Sequence, residues 1–127
     1  FKRAFVYNYC PLAFFRGPKG KNVTPDRIPQ RQRLLEICDD AFWKLVSQIS
    51  PAFIIGIGNF AFSRIQAVTN PSRRKLTSKL SIEPKLGLVL HPSPASPKAN
   101  KGWAQQAIVQ MQDIGCWTML SSPVKLE

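Results

Sequence analysis

The sequence predicts an α/β fold: a three-layer α/β/α sandwich around a short, mostly parallel sheet. Two observations support it. Short apolar segments alternate along the chain with longer segments of helical periodicity, an order typical of parallel strands joined by helices. In addition, 44% of the residues are hydrophobic, which excludes a disordered chain. A length of 127 residues has room for one small domain.

Three short apolar segments are predicted as strands. Residues 4–7 are rich in β-formers and end at Asn8. Residues 53–57 form a continuous apolar run, as expected for a strand covered on both faces. Residues 86–90 form the third strand, and His91 follows it directly.

Three helices are predicted between and after these strands. The first covers about 30–50 and is stopped by Pro51, and the second follows the turn at Gly58 and Asn59. The third covers 103–114 and is capped by Gly115. The predicted inward-facing residues are Leu34, Leu35, Cys38, Phe42, Leu45, Val46 and Ile49, then Ala61, Ile65 and Val68, then Trp103, Ala107, Ile108, Met111 and Ile114.

The remaining segments are predicted as loops. Residues 10–22 contain two prolines, two glycines and three basic residues and are interpreted as an exposed turn region. Residues 69–80 are basic and irregular, and include Arg73, Arg74 and Lys75. Thr24 is expected to cap a helix start through its hydroxyl.

The charge is strongly positive. Lys and Arg number 18 against 7 Asp and Glu, a formal net charge of +11. A domain this basic usually meets a polyanion, nucleic acid more often than an acidic membrane surface, and no apolar run approaches the roughly 20 residues that span a bilayer. Three cysteines at unrelated spacings argue against a disulfide framework and a zinc site. Because the chain begins with Phe1, we expect it to be a piece of a longer protein.

Two polar residues follow predicted strands, where ligands bind in parallel sheets. These are Asn8 and His91. Each also has a plain interpretation: an asparagine after a strand is common in turns, and a lone histidine is usually a core or loop residue. On these residues alone the two interpretations of Asn8 are equally good.

One longer segment decides between them. Residues 91–103 read His-Pro-Ser-Pro-Ala-Ser-Pro-Lys-Ala-Asn-Lys-Gly-Trp, and residues 8–12 read Asn-Tyr-Cys-Pro-Leu. Together with 22–25 and 35–39, in the same order, they resemble motifs of the single-strand-selective monofunctional uracil-DNA glycosylases. The resemblance covers nearly the whole chain.

The resemblance implies a monofunctional DNA glycosylase of base excision repair, nuclear, without metal or cofactor, monomeric when full length, and acting on uracil in single- and double-stranded DNA. It assigns the catalytic role to His91, which donates a hydrogen bond to O2 of the departing uracil. It assigns base recognition to Asn8, whose amide complements N3–H and O4 of uracil.

The resemblance also implies that the loop after His91 binds DNA and fills the space left by the flipped base. Its residues are Pro92, Ser93, Pro94, Ala95, Ser96, Pro97, Lys98, Asn100, Lys101 and Gly102. The family usually carries arginine at the position of Ala95, and the alanine is expected to favour single strands.

The family's Gly-Met-Asn-Pro-Gly segment, which carries the water-activating asparagine, does not occur in the sequence, and Asn70-Pro71 does not replace it. Residues 1–127 are therefore expected to be the C-terminal portion of one glycosylase domain, without the family's first strand. Two alternatives stay open. One is a non-catalytic DNA-binding remnant. The other is a basic scaffold of a ribonucleoprotein, which gives no reason for the 91–103 motif.

Overall fold

The computed structural model describes residues 4–70, 83–94 and 96–117. Two small sheets and three α-helices occur in these ranges. In chain order they are β1 (Phe14–Arg16), β2 (Lys21–Val23), α1 (Gln32–Ile49), β3 (Phe53–Ile57), α2 (Asn59–Thr69), β4 (Lys85–Val89) and α3 (Trp103–Ile114), with short 3-10 turns at Pro25–Arg27 and Ala99–Lys101.

The centre of the fold is a parallel pair formed by β3 and β4. Phe53 pairs with Lys85 and Ile57 with Val89, and all five positions of each strand are in register. Parallel neighbours need a crossover, and α2 provides it. The α/β class and the parallel pairing are therefore confirmed. The predicted sandwich is found only in part, because β3 and β4 are the only members of this sheet within the described residues.

Helices contact both faces of the strand pair. Leu86 of β4 packs against the core cluster, whereas a Cβ placed on the next residue, Gly87, would meet Ile114 of α3. Successive residues of a strand face opposite sides, so α3 lies across the pair from the cluster. The cluster consists of Phe42 and Val46 of α1, Ile54 of β3 and Ile65 of α2.

The helices follow the predicted pattern closely. Leu35, Cys38, Phe42 and Val46 are buried at helical spacing in α1, which ends at a left-handed Ser50. The prediction for Ile49 is wrong, because its side chain is 45% exposed at the last turn of α1.

The capping predictions for Gly115 and Thr24 have different outcomes. Gly115 caps α3 in the left-handed conformation, and its N–H donates to the carbonyls of Met111 and Gln112, as predicted. Thr24 precedes the 3-10 turn, but its hydroxyl makes no capping hydrogen bond, so that expectation is wrong.

The predicted strand at 4–7 is not formed. These residues are extended without regular structure, and Val6 is 83% exposed. Within the described ranges no strand lies beside them to take up their backbone hydrogen bonds, which a strand requires. Only Tyr7 packs closely, stacking on Phe42 with ring centroids 6.0 Å apart. The related expectation that β3 is buried throughout is also wrong, since Ile57 is 47% exposed.

The predicted loop at 10–22 contains a β-hairpin instead. β1 and β2 pair antiparallel, with Phe14 opposite Val23 and Arg16 opposite Lys21. The turn is closed by a 3.0 Å hydrogen bond from Gly20 N–H to the carbonyl of Gly17. Both glycines have positive φ, which lets the chain reverse within a few residues. The strands are only three residues long, Phe-Phe-Arg and Lys-Asn-Val, so hydrophobic alternation does not reveal them.

A polar network fastens the N-terminal segment to two helices. The hydroxyl of Tyr9 donates to Asp39 Oδ1 at 2.7 Å. Arg64 of α2 donates two hydrogen bonds to the same carboxylate. Its Nε lies 3.2 Å from Oδ1, and its Nη2 donates to Oδ2. Burial and the hydrogen bond to Asp39 raise the pKa of Tyr9. Burial alone would lower the pKa of Arg64, but the hydrogen bond and charge of Asp39 outweigh it and raise the pKa.

The three cysteines are free thiols. Cys38 is buried on α1, and burial, followed by the neighbouring Cys10 thiol, raises its pKa to about 11. Cys10 is half-buried, and Cys116 is buried beyond the end of α3.

The two glycines of the strand pair should tolerate alanine differently. A Cβ at Gly56 would lie 2.7 Å from backbone atoms of Phe62, whereas one at Gly87 would meet side-chain ends of Ile114 and Ile55. We expect Gly56→Ala to lower the free energy of unfolding by about 1–3 kcal/mol or more, and Gly87→Ala by less, because side-chain ends can move. Denaturant unfolding measures both. Equal losses would contradict this account.

Stability should decline at alkaline pH. Cys38 and Tyr9 have folded-state pKa values above their ordinary values of 9.0 and 10.0, so the unfolded chain releases these protons first. The stabilisation from Cys38 is complete below pH 9 and is lost as the pH rises through about 11, whereas that from Tyr9 is complete below pH 10 and is lost at more alkaline pH. Guanidinium unfolding from pH 8 to 11 measures this decline.

A cysteine variant tests the contribution of Cys38. Cys38→Ala should flatten the decline between pH 9 and 10, because it removes the thiol whose pKa is raised. A Cys38→Ala protein whose stability falls as steeply as the wild type in that window would refute the assignment.

Candidate active site

His91 lies at the carboxyl end of the parallel pair, two residues after β4 ends at Val89, and its side chain is exposed. It sits against Gly58, the residue between β3 and α2. A Cβ placed on Gly58 would be 3.0 Å from His91 Cβ and 3.3 Å from Cδ2. Gly58 has φ 91°, a conformation that L side chains rarely adopt. Glycine at position 58 therefore leaves the room in which the imidazole lies.

The backbone leading into His91 is held from two sides. Gly58 N–H donates to the carbonyl of Val89 at 2.8 Å. Leu90 N–H donates to Oε1 of Gln110 at 2.8 Å, and the indole N–H of Trp103 donates to the Leu90 carbonyl. Both polar groups of the residue before His91 are thus fixed by α3. As far as the described residues go, the histidine is positioned by its neighbours' backbone rather than by hydrogen bonds to its ring.

Hydrogen bonds within the loop after His91 hold its shape. Ser96 N–H donates to the carbonyl of Ser93 at 2.9 Å, and the Asn100 amide donates to the carbonyl of Pro94 at 2.9 Å. These bonds close the proline-rich segment into a compact shape before any ligand arrives. Ala95 lies outside the described residues.

The second half of the loop is anchored on one small residue. Ala99 is buried in the 3-10 turn, whereas its neighbours Lys98 and Lys101 are exposed. Gln106 of α3 donates through Nε2 to the Lys98 carbonyl at 2.7 Å. Gly102 has φ 96° and leads into α3. The turn therefore presents two lysines next to the start of a helix.

Asn8 is exposed, and its place differs from the prediction because no strand precedes it. Its neighbours are fixed: Tyr7 stacks on Phe42, and Tyr9 meets Phe60 edge-on at 5.8 Å. Within residues 4–70, 83–94 and 96–117, no hydrogen bond reaches the side-chain amide of Asn8.

Asn8 and His91 lie near the same end of α2. Phe60, which contacts Tyr9, belongs to the first turn of that helix, and Gly58, which contacts His91, immediately precedes it. No hydrogen bond joins the two predicted site residues to each other in the described part of the chain. The structure therefore brings both residues to the same end of α2 without a hydrogen bond between them.

Other kinds of site find no support near His91. In the described ranges, no group of three His, Cys, Asp or Glu residues is arranged to hold a metal ion. A shallow cavity lined by Glu83, Pro84 and Leu86 lies at the amino end of β4, away from His91. Across the described residues, the helices are too short or too polar to cross a membrane.

Several positioning residues were not identified from the sequence. Gly58 was interpreted only as a turn residue, although a glycine directly after a parallel strand is a signal of close approach. Gln110 and the Asp39–Arg64 ion pair are ordinary helix-surface residues by type and spacing. Their partners lie far along the chain, so no local pattern marks them.

Comparison with known proteins gives a consistent set of relatives. The single-strand selective monofunctional uracil-DNA glycosylase of Rattus norvegicus is 38% identical over 123 residues, which are 95% of this chain and 41% of the relative. The protein of the same name from Bos taurus is 38% identical over 124 residues, covering 96% and 42%. That of Mus musculus is 38% identical over 123 residues, covering 95% and 41%. No protein-family model matches.

The match includes nearly all of the chain but spans only about two fifths of the length of these relatives. The motif at 91–103 and the Asn-Tyr-Cys-Pro-Leu segment at 8–12 carry the resemblance to the same family. The chain is therefore homologous, over part of their length, to the single-strand selective monofunctional uracil-DNA glycosylases.

Proposed function

We propose that these residues form the base-recognition and leaving-group part of a uracil-DNA glycosylase, as the C-terminal portion of one such domain. The whole enzyme hydrolyses the N-glycosidic bond of deoxyuridine in DNA and acts in nuclear base excision repair. The observation that carries the proposal is the exposed imidazole of His91, held over Gly58 at the carboxyl end of the strand pair.

His91 stabilises the departing base. When the bond between C1′ and N1 breaks, its electron pair moves to uracil and negative charge develops on O2. An imidazole N–H that donates to O2 stabilises this charge where it develops. The sugar acquires oxocarbenium character, C1′ forms a bond to the oxygen of a water molecule, and the proton that this water loses balances the negative charge on the departed uracil. Because the backbone at Val89 and Leu90 is already bonded, little rearrangement is needed when the charge forms.

Asn8 selects the base. Its amide offers an acceptor for N3–H and a donor for O4 of uracil, whereas cytosine presents the opposite arrangement. A mismatched base leaves buried polar groups unpaired, and such a site discriminates by up to roughly 10⁴-fold. The Asn8 amide has no hydrogen bond elsewhere in the described residues, and Tyr7 and Tyr9 hold the backbone on either side.

The 92–102 loop holds the DNA strand. Flipping a base out of the stack costs a few kcal/mol, and a preformed wedge offsets part of that cost. The internal bonds of Ser93 and Pro94 support such a shape. Lys98 and Lys101 are exposed for phosphate contacts beside the start of α3. In this proposal the strand is single or double and carries uracil.

Water activation is assigned to a segment outside these 127 residues, because the Gly-Met-Asn-Pro-Gly motif does not occur in them. The same part of the protein would widen the strand pair into the sheet of a three-layer sandwich. β3 supports this, because among the described residues it pairs only with β4 and its other edge has no partner strand.

A second candidate function is DNA binding without catalysis. The missing water-activating motif favours it, since the remaining residues would bind a strand and a base but would not complete hydrolysis. If the first candidate is right, joining the rest of a relative's sequence to this chain should restore uracil release. If the second is right, it should not.

Base recognition can be tested without catalysis. The chain contains one histidine, so its ring C–H signals in an NMR spectrum belong to His91. Titration with free uracil should shift these signals, and cytosine should not. Asn8→Asp, which replaces the amide donor by a carboxylate, should weaken uracil binding by at least tenfold. Equal shifts from uracil and cytosine would contradict the assignment of Asn8.

Catalysis can be tested with a chimera. Fusing the chain to the part of the rat relative that the match does not cover should give uracil release from a single-stranded oligonucleotide under single-turnover conditions. His91→Leu in this fusion should slow release by roughly 10²–10³-fold with DNA binding retained. An inactive but folded fusion would favour the second candidate. Release by the unfused chain would show that water is activated within it.

A further inference from the structure

The β1–β2 hairpin carries three cations. Arg16 and Lys21 are in the strands and Lys19 is in the turn, and all three are exposed. The sequence has no Asp or Glu from residue 4 to residue 25. In the part of the chain that the structure describes, no salt bridge reaches any of the three. The hairpin is therefore a positively charged projection without an internal counterion.

Two of these cations face each other in the hairpin. Arg16 and Lys21 are directly opposite partners in the antiparallel register. Like charges at opposed positions repel and destabilise a strand pair. A hairpin of two three-residue strands is marginal in water without further support. An anion lying between Arg16 and Lys21 would remove the repulsion, so the hairpin is suited to a negatively charged ligand.

The other face of the hairpin presents an aromatic ring. Phe15 is 68% exposed and lies opposite Asn22, and strand alternation places these two on the side away from Arg16 and Lys21. Phe14, which precedes it, is half-buried, so Phe15 is the more exposed of the two rings of β1. Proteins bind single-stranded nucleic acid through aromatic rings that stack on bases and cations that contact phosphates, and the hairpin carries these two groups on its two faces.

The hairpin is close to the candidate site along the chain. Asn8 and Phe14 are six positions apart, so the two lie within about 20 Å even if the segment is fully extended. A strand that contacts the hairpin can reach Asn8 within a few nucleotides.

We propose that the β1–β2 hairpin binds single-stranded DNA, with Arg16, Lys19 and Lys21 on phosphates and Phe15 stacked on a base. This proposal rests on the proposed function, because it names how the substrate strand is held beside Asn8. Unpaired bases have free ring faces, whereas those of a duplex are already stacked, so Phe15 favours a single strand.

The test measures binding of a labelled, uracil-free (dT)12 oligonucleotide by fluorescence anisotropy across a salt series. Replacing Arg16, Lys19 and Lys21 together by glutamine should weaken binding. It should also reduce the magnitude of the slope of log affinity against log salt by about 2, because each phosphate contact contributes roughly 0.7 for single strands. Phe15→Ala should weaken binding about tenfold with the salt slope unchanged.

A matched triple variant controls for net charge. Replacing Arg27, Arg33 and Lys44 by glutamine removes the same charge from exposed positions outside the hairpin, two of them beside acidic partners. This control should keep most of the affinity and slope. If it weakens binding as much as the hairpin variant, only overall charge matters and the proposal is overturned. Circular dichroism verifies that each variant is folded.

Two further outcomes would overturn it. If Phe15→Ala leaves (dT)12 binding intact, and the hairpin triple weakens duplex binding equally, the hairpin is a general phosphate contact. If the hairpin triple affects an acidic peptide but not (dT)12, the partner is a protein. Because (dT)12 contains no uracil, failure here leaves the NMR titration of His91 unaffected, and a failed titration leaves this binding result unaffected.

Discussion

The parallel pairing of β3 with β4 is the constraint on which the rest of the structure depends. The five paired positions place the ends of both strands at one edge, which brings Gly58 next to His91. The same pairing presents one face to α1 and α2 and the other to α3. Gly56 and Gly87 allow this close packing, since a Cβ at either would collide with a neighbouring element. The position of His91 beside Gly58 therefore depends both on the strand register and on the helix contacts.

The regions flanking this pair are attached by polar contacts as well as by apolar packing. Asp39 joins Tyr9 to Arg64 and so links the N-terminal segment to α1 and α2. Gln110 and Trp103 bind the two polar groups of Leu90 from α3. Such charged and buried bonds depend on direction, and they fix where the chain lies more sharply than apolar contacts do. Base recognition and leaving-group stabilisation, as proposed, would each rely on one of these attachments.

Much of this arrangement was predictable from the sequence. The three helices, the parallel pair and the position of His91 after a strand follow from apolar periodicity, and α3 agrees with its predicted range. The failures have physical causes. A strand at 4–7 requires a neighbour, which periodicity does not supply, and Val6 is exposed for lack of one. The hairpin depends on one turn with two glycines and on strands too short to show alternation, and the contact of Gly58 with His91 joins residues 33 positions apart.

The crossover through α2 has a consequence for the order of folding. A hairpin closes through neighbours in sequence, but β3 and β4 meet only after α2 and the segment that follows it have brought distant residues together. The entropy of that loop must be lost before the paired backbone contributes anything. We therefore expect the imidazole of His91 to reach its place against Gly58 late in folding, and a chain that has formed its helices but not this contact would have helical structure without a site.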